Sequence, residues 1–280
     1  MVQSPAQRAI GAQTIVVGKV ASIGNDEVES TSPYVGATDK VKYKVATVKV
    51  TEVLSGDNKL TEVKVGFIPP PKPDPNAKPP VIRPGIRPGF QAPQLKEGDQ
   101  VILYLAKHPT GDFYVMPGMA PPVDISNEQG KKDLESVKKV TTILADPMKG
   151  LKSDKADVRG ETATLMVMKY RAFPPLGGEV EQVAIDADES KLILKALTEA
   201  EWTNNIRPGM LPGPNPVQAF YSLGLNEKDG WIAPVIAPQP PGAPPIDFAA
   251  VQKDAFVKWL AGAGKNYVIK KNVPKKATPK

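Results

Sequence analysis

The chain carries few of the side chains on which common catalytic and metal sites depend. It has no cysteine and one histidine, His108. The lack of cysteine excludes disulfides, thiolate metal sites, iron–sulfur clusters and cysteine nucleophiles. A single histidine excludes any site within one chain that needs two imidazoles. The chemistry that remains is that of carboxylates, lysines and tyrosines, or none at all.

The acidic group at residues 186–189 and the single histidine are compared with known metal and catalytic sites. Asp186, Asp188 and Glu189 offer oxygen ligands for Ca²⁺, but the glycine and distal glutamate of an EF-hand loop are missing. Acids at the start of a helix also cap it, so we expect capping here and no metal or cofactor. His108 follows an apolar run with no partner visible in sequence, and we expect an ordinary histidine at a loop edge.

The most distinctive motif is the tetrapeptide Ile-Arg-Pro-Gly, which occurs at residues 82–85, 86–89 and 206–209. Proline followed by glycine fits the central positions of a type II turn, where the glycine takes a positive φ. One interpretation is plain turn chemistry with an exposed arginine. The other is a pair of arginine-bearing arms that contact a partner.

The prolines are concentrated around these motifs. Ten of the 31 lie between Pro69 and Pro93, and ten between Pro208 and Pro245. Long loops are uncommon in compact domains unless they are functional or disordered. Extended proline-rich segments also lose little entropy on docking. The residues predicted to bind a partner are Phe67, Arg83, Arg87, Phe90, Arg207 and Trp231, of which Trp231 is also expected to pin the second stretch to the helices.

The net charge of +6 is confined to one end of the chain. Residues 265–280 contain six lysines and no acid, so residues 1–264 sum to zero. A nucleic-acid-binding domain has a basic footprint over its surface, and that footprint is absent here. We expect a solvated basic tail, with contact to a polyanion as the alternative.

The first half of the chain is predicted to form five strands. They begin with Thr14–Ile23 and a long strand at Val41–Leu54, followed by residues 62–67, 100–105 and 113–116. Within the long strand the apolar phase changes at Ala46-Thr47, which predicts a β-bulge there.

The second half is predicted to form five helices. Their expected N-caps are Ser126 or Asn127, Ser153 or Asp154, Asp186 or Asp188, Asn215, and Asp247. Trp202 and Trp259 fall on apolar helix faces and are expected in the core.

The strand order and three segments resemble a known family. The segments are Ala12–Val20, Tyr43–Gly56 and Leu95–Leu105, and they are similar to the netrin-like, metalloprotease-inhibitor-like OB domains of exported bacterial proteins. The whole chain also resembles uncharacterised exported proteins of Planctomycetes. In the inhibitor family an N-terminal cysteine chelates the zinc of the protease, and this chain has none. The resemblance therefore implies an exported binding module without that inhibitory mechanism.

Together these observations predict an α+β fold. Residues 1–125 would form a five-stranded OB-like β-barrel with a proline-rich loop at 69–94. Residues 126–264 would form a helical domain with a proline-rich loop at 206–246, and residues 265–280 a basic tail.

The predicted function is a non-enzymatic binding or structural protein that acts through barrel loops and proline-rich arms. Its expected partner is another protein or a second copy of the chain. The alternatives are a polyanion- or nucleic-acid-binding OB protein, and an enzyme with carboxylates at an unlocated site. Neither a membrane span nor a signal peptide is visible. The resemblance implies the periplasm or secretion, with the cytoplasm as the alternative.

Overall fold

The structure is a computed structural model that describes residues 3–70, 94–119, 121–203, 213–236 and 245–275. The chain divides into two compact units. The sheet unit consists of Ala12–Glu135 with Pro175–Gly178, and the helical unit contains the remaining residues. This division differs from the predicted boundary at 125/126, because one helix runs across residue 135 and residues 3–11 belong to the helical unit.

The fold is mixed α+β, and the sheet unit contains six of the described strands. They are β1 (Thr14–Thr31), β2 (Lys40–Ser55), β3 (Glu62–Phe67), β4 (Gln100–Lys107), β5 (Tyr114–Val115) and β6 (Val123–Asp124). The first five close a ring in the order β1-β2-β3-β5-β4, because β4 pairs with β1 again. The β3–β5 pair is parallel and the other pairs are antiparallel, while β6 extends the sheet beside β4.

Alternate side chains of the ring strands form the core of the sheet unit. Val16, Val48, Val65 and Leu103 are completely buried in it. Strand β4 is buried on both faces, as its continuous apolar run predicts. The ring therefore has an ordinary aliphatic interior, filled by its own strands.

The prediction of a β-bulge at Ala46-Thr47 is wrong. Strand β2 pairs with β3 without interruption from Lys44 to Lys49, and the register shifts lie in the β1–β2 ladder instead. The two apolar phases of β2 serve two different clusters. Val48 packs into the ring, whereas Tyr43 belongs to a separate aromatic cluster.

Seven α-helices lie in the described residues. They are α1 (Pro5–Gly11), α2 (Glu128–Ala145), α3 (Pro147–Leu151), α4 (Ala156–Arg171), α5 (Ala187–Glu199), α6 (Pro216–Leu223) and α7 (Phe248–Ala261). Asp186, Asn215 and Asp247 cap α5, α6 and α7 through side-chain oxygens, at positions predicted from residue type. By contrast, α4 begins after Lys155 without a side-chain cap.

The core of the helical unit is largely aromatic. Trp202, Phe220, Phe256 and Trp259 are buried in it, together with aliphatic residues of α4 and α5. The ring centroids of Trp202 and Phe220 are 5.3 Å apart, and those of Phe256 and Trp259 are 5.7 Å apart. Trp202 and Trp259 are thus core residues, as expected.

The basic tail predicted for residues 265–280 differs from the structure over its first part. Residues Lys270–Pro274 form β8, which pairs antiparallel with β7 (Val180–Ala184) in a two-stranded sheet. Ile269 is fully buried, and its amide donates to Ser190 Oγ. Residues up to 275 are therefore an integral part of the helical unit.

Among the residues that the structure describes, no helix has both the length and the apolar character needed to cross a membrane.

Candidate functional site

Four of the six predicted partner-binding residues, Arg83, Arg87, Phe90 and Arg207, lie outside the described residues. The other two have buried side chains. Phe67 is 5% exposed and packs in the core of the ring, and Trp231 is 8% exposed and packs in the helical core. In this structure neither side chain is available on a surface, so each acts as an anchor for the segment beside it.

The first proline-rich segment leaves and rejoins the ring at one place. Gln94 Nε2 donates a 2.9 Å hydrogen bond to the carbonyl oxygen of Ile68. Buried residues flank this contact, with Phe67 before Ile68 and Leu95 after Gln94. Residues 69–93 are therefore an insertion with a closed neck, and the described ring strands on both sides of the neck pair with one another.

Trp231 anchors the chain within the second proline-rich segment, just before residues 232–246. Its ring lies 5.1 Å from that of Phe220 and 6.1 Å from that of Trp259, measured between centroids. Its amide donates to the carbonyl oxygen of Asn226. After this anchor the side chains turn outward, and Ile232 is 82% and Val235 96% exposed.

The single histidine, His108, is 2% exposed, and both of its ring nitrogens have hydrogen-bond partners. Its Nδ1 accepts hydrogen bonds from the amides of Thr110 at 3.2 Å and Gly111 at 2.8 Å. Its Nε2 lies 3.0 Å from the carbonyl oxygen of Thr31 and must donate to it. These partners assign the neutral tautomer with the proton on Nε2. His108 is thus a buried structural residue that ties the turn after β4 to the end of β1.

An aromatic cluster surrounds His108. The ring centroids of Tyr43 and Phe113 lie 5.6 Å and 4.8 Å from that of His108. Burial, and secondarily the nearby Tyr34, raises the pKa of Tyr43. The Phe113 ring occupies the space that a Cβ on Gly66 or Gly111 would fill. The three rings of this cluster are therefore in mutual contact.

The acidic group at the start of α5 has structural partners. Asp186 Oδ1 accepts from the amides of Asp188 at 3.0 Å and Glu189 at 2.9 Å, so it is an N-cap. Glu189 accepts a hydrogen bond from the Tyr170 hydroxyl at 2.5 Å. Burial, and then this bond to Glu189, raises the pKa of Tyr170 well above its usual range. In the described part of the chain no three His, Cys, Asp or Glu side chains are grouped to hold a metal.

The other shifted pKa values also have structural causes. A hydrogen bond from Lys40 lowers the pKa of Glu29, and one from Lys275 lowers the pKa of Glu179. Burial, and secondarily the charge of Asp229, raises the pKa of Tyr267 to about 12. None of these groups borders the clefts described for the chain.

One cleft of the helical unit was not predicted from the sequence. Its volume is about 430 Å³, within the range of small-ligand and peptide sites. Helices α1, α2 and α4 and residues 200–201 and 213–216 border it. One signal was present in the sequence, because Asp157, Gly160, Glu161 and Thr164 share a helix face where small and acidic residues meet. The other walls come from distant segments that no local pattern reveals.

No protein-family model matches the chain, and no curated protein is detectably similar to it. Function is therefore inferred from the geometry of its own residues.

Proposed function

We propose that the chain is an exported, non-enzymatic binding or structural protein that acts through its proline-rich arms and the loops of its ring. The order β1-β2-β3-β5-β4 with closure onto β1 supports an OB-like barrel followed by a helical domain. Export is proposed from the resemblance to exported netrin-like domains. The first arm is residues 69–93. The second arm is the proline-rich part of residues 206–246 outside α6 and Trp231, which pack in the helical core.

The observation that carries this proposal is the closed neck of the first arm. The hydrogen bond between Gln94 and Ile68 joins the two ends of a 25-residue insertion. Phe67 and Leu95 hold both ends to the core. A long insertion whose two ends are held together on a rigid scaffold is typical of binding loops.

Two further features favour binding over catalysis. Glu29, Glu179 and the Tyr170 hydroxyl have shifted pKa values and bond to structural partners, whereas catalytic groups converge in a cleft. The anchor at Trp231 holds the start of an extended stretch that exposes Ile232 and Val235. Exposed apolar side chains beside a rigid anchor are common in interaction segments.

The test is a deletion of the first arm, with residues 69–93 replaced by Gly-Ser-Gly. We expect the fold to survive with equal or higher stability, because each halving of a loop lowers its closure cost by about 0.6 kcal/mol. We expect the variant to lose the partner that the full chain retains in a pull-down from the exported fraction of its source. A matched control keeps the arm length and composition but scrambles its order. A deletion variant that still recovers the partner would overturn the proposal.

A further inference from the structure

The cleft in the helical unit has an apolar floor and an acidic rim. Val140, Leu165, Ala200 and Pro214 supply apolar wall, and the lining is mostly apolar. Helix α4 and Ala200 meet closely at this floor, since a Cβ on Gly160 would lie 2.7 Å from Ala200 Cβ. An occupant must therefore bring apolar side chains to the remaining apolar wall.

The rim carries an excess of negative charge. Glu161 is paired with Lys139 at 2.6 Å, which neutralises one carboxylate. Asp157 and Glu201 also line the cleft, and neither has a hydrogen-bonding or ionic partner among the described residues. Two uncompensated carboxylates beside an apolar floor select an occupant with both apolar groups and positive charge.

The tandem motif at residues 82–89 has this chemistry. Each Ile-Arg-Pro-Gly copy combines two apolar side chains, one guanidinium and a glycine. A guanidinium can bind a carboxylate through two parallel hydrogen bonds, and the two arginines match the two unpaired rim carboxylates in number. Proline limits the entropy lost on docking, and glycine permits close backbone approach.

We propose that this cleft binds the Ile-Arg-Pro-Gly repeat of residues 82–89 from a second copy of the chain. The proposal rests on the proposed function, since it names the partner and the receptor surface of the first arm. The repeat lies toward the end of the 25-residue arm, with 13 residues before it and four after it. At about 3.1 Å per residue for an extended proline-rich chain, the four residues 90–93 would span roughly 12 Å from the neck, and the ten residues 84–93 would allow Arg83 to lie roughly 30 Å from it. That span allows the copy of the motif at residues 82–85 to enter a cleft on a neighbouring molecule.

The experiment measures binding of a fluorescent synthetic peptide with the sequence of residues 80–91 to the full chain by anisotropy. We expect saturable binding that weakens as salt rises. The double substitution Asp157→Asn/Glu201→Gln should weaken it at least tenfold, as expected for lost hydrogen bonds between charged groups. The matched control, Glu181→Gln/Asp254→Asn, removes two exposed carboxylates elsewhere on the helical unit and should bind like the wild type. A peptide with both arginines replaced by glutamine should not bind.

Equal peptide binding by the cleft variant and the control would overturn the inference. Binding that emerges only after Ile206→Ser/Arg207→Gln would also overturn it, because the chain's own third copy of the motif would then be the occupant. The outcome of the peptide experiment is distinguishable from the outcome of the arm deletion. If deletion of the first arm abolishes partner recovery and the peptide ignores the cleft, the proposed function stands and this inference falls.

Discussion

The Phe113 ring packs against two glycines that are distant from each other in sequence. Its ring lies against Gly66 of β3 and Gly111 of the following turn, and a Cβ at either position would approach it to 2.5 Å. The Tyr43 and His108 rings also pack against the Phe113 ring, with centroids at 5.2 Å and 4.8 Å. The position of the Phe113 ring therefore requires that residues 66 and 111 carry no side chain.

The substitution Gly66→Ala should therefore destabilise the sheet unit. The added methyl group forces the Phe113 ring or the strand to move, and overpacking of this kind costs about 1–3 kcal/mol. Urea unfolding followed by far-ultraviolet circular dichroism measures the loss. Gly24→Ala in β1 is the matched control, since its nearest neighbour would be at 3.4 Å. Equal stability of the two variants would contradict the packing described for Phe113.

Local residue chemistry predicted some of these features and missed others. Asp186, Asn215 and Asp247 were predicted as N-caps because a cap bonds to amides two or three residues away. The role of His108 could not be predicted. One of its bonds reaches Thr31, 77 residues earlier in the chain, and no local pattern contains that contact.

Strand β1 shows how a polar sequence can continue a strand. The prediction ended it at Ile23, but it runs to Thr31 beside β2. Opposite charges face each other along this extension, with Glu27 across from Lys44 and Glu29 across from Lys42. Glu29 forms its ion pair with Lys40 at 2.9 Å, and opposite charges on paired strands support a ribbon that is largely exposed. The alternation of apolar residues alone therefore underestimates the length of the hairpin.

The same hairpin gives a pH-dependent prediction at the level of the element. Lys40 lowers the pKa of Glu29, so the pair contributes to hairpin stability above the ordinary glutamate pKa and loses this contribution as pH falls through the lowered value. In Lys40→Met we expect the Glu29 pKa to rise toward its ordinary value in a carboxylate NMR titration. Lys59→Met is a control at an exposed lysine of the same unit. An unchanged Glu29 pKa in Lys40→Met would show that the pair does not form in solution.

Strand β8 gives a second prediction at the level of the element. Its residues lie in the part of the sequence that was predicted to be a basic tail. Arg171 donates to the carbonyl oxygen of Lys270, and Asn272 Nδ2 donates to the carbonyl oxygen of Arg171. Truncation after Ile269 removes these bonds and the β7–β8 pairing, and should destabilise the helical unit by about 2 kcal/mol. Truncation after Pro274 should change little, since among the described contacts it removes the exposed Lys275–Glu179 ion pair and one hydrogen bond from the Lys275 amide to the Glu179 carbonyl oxygen.

Tryptophan fluorescence measures both truncations directly, because Trp202, Trp231 and Trp259 all lie in the helical unit. Urea midpoints should separate the two truncated chains, with the longer one close to the full chain. If both truncations leave the midpoint unchanged, β8 does not contribute to the stability of this unit.

At the scale of the whole molecule, the broad order of strands and then helices was predictable from periodicity. The division into units was not. Helix α1 precedes the ring in sequence yet belongs to the helical unit, and Pro175–Gly178 belongs to the sheet unit although helical-unit residues flank it. Such assignments depend on tertiary packing between distant segments. The cleft escaped prediction for the same reason, since its walls come from α1, α2, α4 and residues near 200 and 214.

The central claim is that the first arm is a contact element between copies of the chain, carried by a ring that folds without it. Sedimentation velocity of the full chain and of the chain with residues 69–93 replaced by Gly-Ser-Gly, each over a range of concentrations, tests this claim most directly. We expect the full chain to associate as concentration rises and the deletion variant to sediment as a compact monomer throughout. Equal association of both chains, or an expanded, unfolded deletion variant, would contradict the claim.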